Sequence, residues 1–493
     1  MHYSIIPFLL LLGSFYAQAQ NTFIKRYKNT AISESGVAVC ILPNNQYAIV
    51  GQQANGFAWQ SPMVVITDSA GNQLRHWVDT ACNGCNPHDA VADSAGYIYV
   101  AGNFYGKAGL AKYDTLGNQI WQRLYSANGL ESSINSIIIV NDSIVVVGGG
   151  QGLGAFNGSN PLVVAYNLNG DTLWAFASSF EFNQLANEFD VLSVTFLDST
   201  LYLTGVVSDT NPQQPFFASL SVSGTLVNYR KIPENGLGFA ISVLSKDSIF
   251  IAGCGVDSSL RLFNALYLVA SNGQVLDQHI DSSIWNIFIS KIELDRQKGM
   301  LYILTLDTVF ENGTTRNRDK ILAYSLPVNN LSQPLWQQTI TSTHTGGSYR
   351  GLKLAHDGTV LLTATAIDNC PNCPYLAKID KDACADMACD TDFATGIVSP
   401  SLINVSFKLY PNPVNGGPLY YELQSEETIQ TIEAVCYDLS GKVIPVTHTE
   451  SYNIGITYKA TMQLDIELSN GMYVIKWVIN GRHSLYGRFV KTD

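Results

Sequence analysis

The sequence predicts an all-β protein: a seven-bladed β-propeller closed by the N-terminal strand, followed by a small β-sandwich (immunoglobulin-like) C-terminal domain. Three observations predict this fold. A group of short strands recurs about every 50 residues, a period typical of four-stranded propeller blades. The last copy lacks one strand, while an unassigned strand precedes the first copy. Beyond residue 390 this pattern ends and a different β pattern follows.

One copy shows the repeat clearly. Residues 97–102 alternate with period two and are rich in aromatic and β-branched side chains, as in a strand. Residues 109–114 predict a second strand, and residues 119–124 predict a third after a turn at 116–118. Each copy therefore predicts one blade. The first of these strands has seven copies, which end at Gly51, Gly102, Gly148, Gly205, Gly253, Thr305 and Ala364.

The two ends of the repeat region complement each other. After residues 374–384 of the seventh copy no apolar fourth strand follows, and residues 23–28 form an extra strand at the start. Exposed strand edges invite aggregation, whereas a closed ring leaves only short, protected edges. We therefore expect strand 23–28 to complete the seventh blade, with an open stack of β-meanders as the alternative. The predicted propeller spans residues 20–390, and its pattern resembles bacterial β-propeller repeat proteins in general.

The N-terminal residues predict export. An apolar run at 5–12 precedes Ala17-Gln18-Ala19, a small-x-small cleavage pattern, so residues 1–19 are predicted to be a signal peptide. No later segment has the roughly 18 uninterrupted apolar residues of a membrane-spanning helix, so no transmembrane span is predicted. The formal net charge of −12 argues against nucleic acid as a partner, because phosphates are bound by clustered cations.

The nine cysteines fit an oxidising compartment. Three of them, Cys40, Cys254 and Cys436, lie in strand patterns and are predicted to be buried free thiols. Two CxxC pairs could form a tetrahedral zinc site, but their wide separation favours disulfides, and neither a metal nor another cofactor is predicted. Local disulfides are predicted for three pairs, namely Cys82 and Cys85, Cys370 and Cys373, and Cys384 and Cys389.

A second β domain is predicted after a linker. Residues 391–404 have no periodicity, whereas residues 405–493 contain six or seven short strands, which suits a small sandwich. Pro411 and Pro413 stiffen the start of this domain and cannot pair within a central strand. Asn470-Gly471 predicts a tight turn between two of its strands.

Four motifs give this domain a specific resemblance. They are Tyr410-Pro411-Asn412-Pro413, Asp438-Leu439-Ser440-Gly441-Lys442, Leu468 to Val474 with Gly471 and Tyr473, and Gly487 to Lys491. In order, spacing and position they resemble the type A C-terminal sorting domain of the type IX secretion system of Bacteroidetes. The resemblance implies passage across the outer membrane in a folded state and removal of the domain by a sortase-like peptidase. The product is then anchored to surface lipopolysaccharide or released. The alternative is an immunoglobulin-like accessory domain that itself binds a ligand.

Candidate ligand residues lie at the start of the innermost strands, where loops surround the channel of a propeller. An alignment of these strands on their apolar pattern places Gly36, Asp89, Asn135, Asp190, Ala240, Asn286 and Arg350 at equivalent positions. The preceding residues add aromatic surface suited to stacking on a sugar or peptide. Capping of backbone groups and binding of water are the alternative roles. Ligand binding is predicted for His88, Asp89, Asn135, Asp190, Trp285, Asn286, Tyr349 and Arg350.

These residues favour a non-catalytic binding role on a glycan, a peptide or a partner protein. The alternative is a secreted hydrolase or lyase acting on glycans, with Asp89 and Asp190 as an acid–base pair at the channel mouth. No nucleophile elbow, HExxH motif or phosphate-binding loop is present, so no catalytic residue is predicted. The seven tryptophans are spaced too irregularly for a docking motif in every blade, which disfavours a quinone-dependent dehydrogenase.

Overall fold

The protein is described here by a computed structural model. It covers residues 22–27, 33–54, 60–126, 131–152, 159–177, 188–208, 213–233, 236–256, 262–281, 289–311, 314–326, 328, 334–340, 350–366, 372–379, 405–410, 414–415, 418–425, 432–438, 443–444, 446–454, 457–464, 469–479 and 483–491.

The described residues form nine four-stranded antiparallel sheets and contain no α-helix, which confirms the predicted all-β class. The chain divides into two compact units, residues 1–393 and 394–493. Seven sheets belong to the first unit and fit the predicted seven-bladed propeller, and two belong to the second.

In each of the first six sheets, the four strands pair in chain order from the channel outwards. The N-terminal strand is β1 (Phe23–Arg26). The first three sheets contain β2 (Glu34–Leu42), β3 (Gln46–Ala54), β4 (Gln60–Thr67) and β5 (Gln73–Val78), then β6 (Cys85–Ala92), β7 (Ile98–Phe104), β8 (Lys107–Tyr113) and β9 (Gln119–Tyr125), then β10 (Ser132–Val140), β11 (Ile144–Gly152), β12 (Ser159–Asn167) and β13 (Thr172–Phe176).

The remaining sheets of the propeller follow the same plan. They contain β14 (Glu188–Leu197), β15 (Thr200–Ser208), β16 (Gln214–Ser221) and β17 (Leu226–Lys231), then β18 (Gly236–Ser245), β19 (Ser248–Val256), β20 (Leu262–Val269) and β21 (Val275–Asp281), then β22 (Ile289–Asp295), β23 (Met300–Glu311), β24 (Thr314–Ser325) and β25 (Trp336–Thr339), and finally β26 (Gly351–Leu354), β27 (Val360–Ala366) and β28 (Cys373–Ile379).

The N-terminal strand is the fourth strand of the seventh sheet, as the sequence predicted. Strand β1 pairs antiparallel with β28, with Phe23 opposite Lys378 and Arg26 opposite Tyr375. The innermost strand of this sheet, β26, contacts β22 of the sixth sheet and β2 of the first. The seventh sheet therefore lies between the sixth and the first.

A β-bulge recurs near the start of the innermost strands. The pairing of β6 with β7 skips His88, and the pairing of β14 with β15 skips Leu192. The bulge brings a backbone carbonyl against the second strand, so that a Cβ atom on Gly205 would lie 1.9 Å from the carbonyl oxygen of Asp190. Only glycine fits this approach, which explains why glycine ends most copies of that strand.

Large side chains on the outermost strands connect neighbouring sheets. Trp174 of β13 covers a turn of the fourth sheet, and its Nε1 donates a hydrogen bond to the carbonyl of Val222 at 2.9 Å. Gly224 in this turn has a φ of 85°, and a Cβ atom there would lie 2.7 Å from the Trp174 ring. The N-terminal strand makes the same kind of contact as the tryptophans. The equivalent pairs are Trp77 with Gly117, Trp121 with Gly170 and Phe23 with Gly71.

The turn glycine should tolerate no side chain, and Gly106 supplies a matched control. Gly106 also has a positive φ, 76°, but the nearest atom to a Cβ placed there is 3.9 Å away. We expect Gly106→Ala to cost about 1 kcal/mol through backbone strain alone, and Gly224→Ala at least about 2 kcal/mol because the Trp174 contact is lost as well. Urea unfolding of both variants measures the difference. Equal losses would show that this contact adds no stability.

The C-terminal domain is a β-sandwich whose two sheets share one core. Tyr421 of one sheet packs against Trp477 of the other, with ring centroids 5.1 Å apart. The strands of the two sheets are β29 (Val405–Tyr410), β30 (Leu419–Ser425), β31 (Ile432–Asp438), β32 (Val443–Ile444), β33 (Val446–Ile454), β34 (Thr457–Leu464), β35 (Gly471–Ile479) and β36 (His483–Lys491). They pair in the orders β29-β30-β34-β33 and β32-β31-β35-β36.

The cysteines follow the sequence prediction where they are described. Cys82 and Cys85 form a disulfide, and Cys373 is also disulfide-bonded. The predicted partner Cys370 and the pair Cys384 and Cys389 lie outside the described residues. The predicted buried free thiols are confirmed for Cys40, Cys254 and Cys436.

Candidate functional site

The innermost strands of the seven sheets surround a central cavity of about 120 Å³. The strand pairing places one residue of each innermost strand at the same level along the channel axis. In the six sheets whose innermost strand has a bulge, this residue directly follows the bulge. We name this set the channel layer. It consists of Ala38, Asp89, Ser136, Ser193, Ala240, Lys291 and Gly351.

Side chains of the channel layer join neighbouring sheets. The Ser136 Oγ accepts a hydrogen bond from the amide of Val194 at 3.2 Å, and the Ser193 Oγ accepts one from the amide of Ile241 at 3.3 Å. The Asp89 Oδ2 accepts a hydrogen bond from the equivalent amide, that of Ile137, at 3.4 Å. Each of the three side chains therefore accepts a hydrogen bond from the next sheet.

Two ion pairs lie within the cavity. The Lys291 Nζ is 3.3 Å from the Asp89 Oδ2, and these side chains are 27% and 13% exposed. Two residues further along the strands, the Lys353 Nζ is 2.7 Å from the Glu293 Oε1. The Glu293 carboxylate raises the pKa of Lys353 above its usual range, against the opposing effect of burial, and Asp89 adds to the rise. The cavity thus carries two fixed cations, each beside a carboxylate.

The predicted ligand residues do not form one ring. The sequence alignment overlooked the bulges. In the strand pairing, Asn135 and Arg350 lie one residue before the position equivalent to Asp89, and Asp190 lies three residues before it. Among the predicted residues that are described, Asp89 alone lines the cavity. Trp285, Asn286 and Tyr349 lie outside the described residues.

The other described candidates have structural contacts. Asn135 donates from its Nδ2 to the carbonyl of Val191 in the next sheet, at 3.1 Å. The Asp190 carboxylate lies so close to Gly150 that a Cβ atom there would be 1.7 Å from the Asp190 Oδ1. Both side chains thus pack between the third and fourth sheets. Ligand binding by either residue remains a prediction.

Arg350 is buried in a polar cluster between the sixth and seventh sheets. Its Nε lies 2.5 Å from the Asp319 Oδ1, and the hydroxyl of Tyr375 donates to the Asp319 Oδ2 at 2.5 Å. The side chains of Arg350 and Asp319 are 3% and 0% exposed. The position of the pair indicates that Arg350 neutralises Asp319, a residue outside the channel layer.

Loss of Arg350 should destabilise the fold, because it leaves a buried carboxylate unpaired. We expect Arg350→Met to lower the free energy of unfolding by about 3 kcal/mol, measured by urea denaturation. Lys298→Met is the matched control, since Lys298 is 38% exposed and pairs with Asp295 at 3.6 Å. An exposed pair of this kind contributes about 0.5 kcal/mol. A variant of Arg350 as stable as the control would contradict the structural role.

His88, the bulged residue of β6, is also buried, with 7% of its surface exposed. Its Nδ1 lies 2.8 Å from the carbonyl of Ile134. Burial lowers the pKa of His88 below its usual value, although the hydrogen bonds to Ile134 and Asn135 and the charge of Asp89 oppose the shift. The neutral ring is therefore the native form, and it donates its Nδ1 proton to the Ile134 carbonyl.

The lowered pKa of His88 predicts a loss of stability in acid. As pH falls below the ordinary histidine pKa of about 6.5, the unfolded chain takes up a proton that the native ring resists, so native stability decreases. We expect His88→Gln, whose amide can donate to the same carbonyl, to lose less stability than the wild type between about pH 7.5 and about pH 5. Urea midpoints at both pH values measure this. If His88→Gln and the wild type lose the same stability between the two pH values, the assignment of His88 as a buried neutral ring is wrong.

Sequence reasoning missed Lys291, Glu293 and Lys353. A signal for the first two was present, because Lys291 and Glu293 alternate with Ile292 and Leu294 in the inner strand. Alternation of this kind places both charges on one side of a strand. The equivalent serines, Ser136 and Ser193, carry no such signal, since serine is common in any strand pattern.

The described residues of the sorting motifs lie in strands or at strand ends of the C-terminal domain. Tyr473 on β35 is buried, stacks on Phe489 with ring centroids 5.4 Å apart, and donates its hydroxyl to the carbonyl of Ser469 at 2.7 Å. Gly471 pairs with Lys491, and Asp438 ends β31. Tyr410 ends β29 and is 46% exposed. Pro411, Asn412, Pro413, Gly441 and Lys442 lie outside the described residues.

Comparison with known proteins agrees with these motifs. Residues 408–491 match the protein family described as "Secretion system C-terminal sorting domain". The C-terminal domain is a type IX secretion sorting domain. This domain directs the protein to the cell surface or the extracellular space. No helix among the described residues is long and apolar enough to cross a membrane.

The chain matches no curated protein. Several solved structures align with the chain at low identity. A mutant puromycin hydrolase complexed with PGG aligns at 10% identity and a TM-score of 0.46, over 79% of this chain and 58% of that enzyme. Plexin A of Drosophila, in complex with Semaphorin 1b, aligns at 8% identity and a TM-score of 0.38, over 73% of this chain and 85% of that one. An endo-arabinase of Bacteroides thetaiotaomicron aligns at 12% identity and a TM-score of 0.32, over 50% of this chain and 92% of that one.

Proposed function

We propose that the propeller of this exported protein is a non-catalytic binding module whose ligand enters the central channel. One observation carries the proposal: the two carboxylates that line the described part of the channel, Asp89 and Glu293, are already paired with lysines. The proposed ligand is a polar group of a glycan, a peptide or a partner protein. We further propose that a sortase-like peptidase removes the sorting domain. The product is then anchored to lipopolysaccharide or released.

The ion pairs favour binding over glycan hydrolysis. A glycosidase needs two carboxyl groups, one of which holds a proton for the leaving group. In the described channel, Asp89 and Glu293 each form an ion pair with a lysine instead. Asp190, the other half of the predicted acid–base pair, packs against Gly150 and does not line the cavity. The described channel thus lacks an unpaired carboxyl group in the position such an acid requires.

The cavity suits a small polar group. It is lined by hydroxyl, ammonium and carboxylate groups, and its volume of about 120 Å³ holds several waters. A whole oligosaccharide cannot enter, so the channel would hold one substituent of a larger ligand.

A glycan and peptide array probed with the full chain tests the proposal. We expect binding of at least one array ligand, and a loss of affinity of tenfold or more in Lys291→Met. The surface variant Lys298→Met, which removes the same charge from the Asp295 pair, should bind like the wild type.

The same ligands, incubated with the chain and followed by mass spectrometry, separate binding from catalysis. Intact ligand is the expected result. Cleavage of an array ligand that stops in Asp89→Asn would overturn the proposal in favour of a secreted hydrolase or lyase. If Lys291→Met binds the ligand as tightly as the wild type does, the ligand site lies outside the channel.

A further inference from the structure

We propose that the central cavity binds the hydroxymethyl group of an uncharged hexose. The inference rests on the proposed function and names the chemistry of its ligand. It follows from three properties of the cavity: the directions from which polar groups reach it, the balance between its free donors and acceptors, and the charges of its two ion pairs.

Polar groups reach the cavity from six of the seven propeller sheets, so a ligand there meets them on nearly every side. In chain order, these sheets contribute Asp89, Ser136, Ser193, Ser242, Lys291 and Lys353. A ligand group that forms hydrogen bonds in several directions suits this arrangement.

The ion pair of Asp89 and Lys291 reaches across part of the channel. The two residues lie in the second and sixth sheets, which are not neighbours, yet the Lys291 Nζ is 3.3 Å from the Asp89 Oδ2. In the two sheets between them, the channel-layer residues are Gly351 and Ala38, which carry at most a methyl group and leave room for the pair. Its polar atoms therefore lie inside the ring of strands, where a ligand can contact them.

Serines and lysines of the cavity have hydrogen-bond donors to spare. The Ser136 Oγ and the Ser193 Oγ each accept one amide hydrogen, which leaves each hydroxyl a hydrogen to donate and a lone pair. An ammonium group has three N–H bonds, and the described contacts of Lys291 and Lys353 each use one of them on a carboxylate. Each lysine can therefore donate twice more.

The carboxylates have a matching set of free acceptors. A carboxylate has about four acceptor sites. In the described contacts, Asp89 uses three of them, for two backbone amides and for Lys291. Glu293 uses one, for Lys353. Together with the serine lone pairs, the remaining acceptors equal the remaining donors, so neither kind dominates the cavity.

A hydroxyl group fits this balance better than a charged group does. It donates and accepts at one atom and rotates to suit its surroundings, whereas a carboxylate only accepts and an ammonium only donates. A charged group would leave one of the two sets of polar groups without partners, which costs free energy. A primary amide also donates and accepts, but its polar atoms are fixed in one plane, which suits a cavity with polar groups on many sides less well.

The charges of the cavity also favour a neutral ligand. Asp89 and Glu293 balance Lys291 and Lys353. An added charge of either sign is attracted by one member of each pair and repelled by the other, and it loses its hydration on entry. A neutral group avoids both effects, and its hydrogen bonds to the charged side chains are stronger than those between neutral groups.

The size of the cavity selects the hydroxymethyl group among the hydroxyl groups of a sugar. A volume of about 120 Å³ holds several waters, which is too little for a sugar chain. The hydroxymethyl group projects furthest from the ring of a hexose. It can therefore enter the cavity while the ring and the rest of the glycan stay outside.

Isothermal titration of the full chain with sugars that differ only at C6 tests the inference. The probes are D-glucose, D-galactose and D-mannose, with the 6-deoxy, 6-amino-6-deoxy and uronate forms of each. These forms replace the hydroxymethyl group by a methyl, an ammonium-bearing and a carboxylate group. We expect at least one hexose to bind at least tenfold more tightly than its three analogues.

Variants that unbalance the charge connect this preference to the cavity. Glu293→Gln removes one carboxylate and leaves both lysines, so the affinity of the uronate should rise at least tenfold relative to that of the hexose. Lys353→Met removes one ammonium group, so the amino sugar should gain in the same way, and either variant suffices if the other folds poorly. Lys298→Met, which removes a charge from the Asp295 pair outside the cavity, should keep the wild-type order.

The outcomes separate this inference from the proposed function. An analogue that binds the wild type as tightly as its hexose, no binding of any hexose, or the wild-type order in both charge variants would overturn the inference. Binding of triglycine amide in place of every hexose would also overturn it and assign the cavity to a peptide. In each of these cases binding on the array would leave the proposed function standing, whereas cleavage of an array ligand would remove it.

Discussion

Contact between neighbouring sheets determines the stability of the propeller, because each four-stranded sheet has two faces to bury. The tryptophans of the first three sheets meet this requirement at the outer edge, where Trp174 covers the turn of the next sheet and bonds to its carbonyl. Phe23 makes the equivalent contact with Gly71 of the first sheet. The N-terminal strand therefore contributes both a strand pairing and a side-chain contact where the two ends of the repeat region meet.

A second constraint acts at the centre of the ring. The bulge in each of six inner strands pushes a carbonyl towards the second strand and turns the following residue to the channel. The residue at this position sets the chemistry of the cavity. Ser136 and Ser193 use it to bond to the next sheet, whereas Asp89 and Lys291 use it to form an ion pair. The same backbone geometry thus supplies both structural contacts and a candidate site.

The buried polar groups illustrate two different uses of charge. Asp319 and Arg350 neutralise each other between sheets with almost no exposure, as a structural pair does. Lys291 and Asp89 remain partly exposed to the cavity, where a ligand could compete for the lysine donors. Exposure, more than charge, distinguishes a site that can exchange partners from one that cannot.

Sequence alone determined the strand repeat, the strand that completes the seventh sheet, and the sorting motifs, because alternation, turn residues and short motifs are local patterns. It could not determine which polar residues share the channel. Asp89 and Lys291 are 202 residues apart, and a one-residue bulge changes which side chain faces the cavity. Only the tertiary structure shows that Arg350 pairs with Asp319 and that Lys291 and Lys353 reach the channel, since these pairings depend on how whole sheets pack around a common axis.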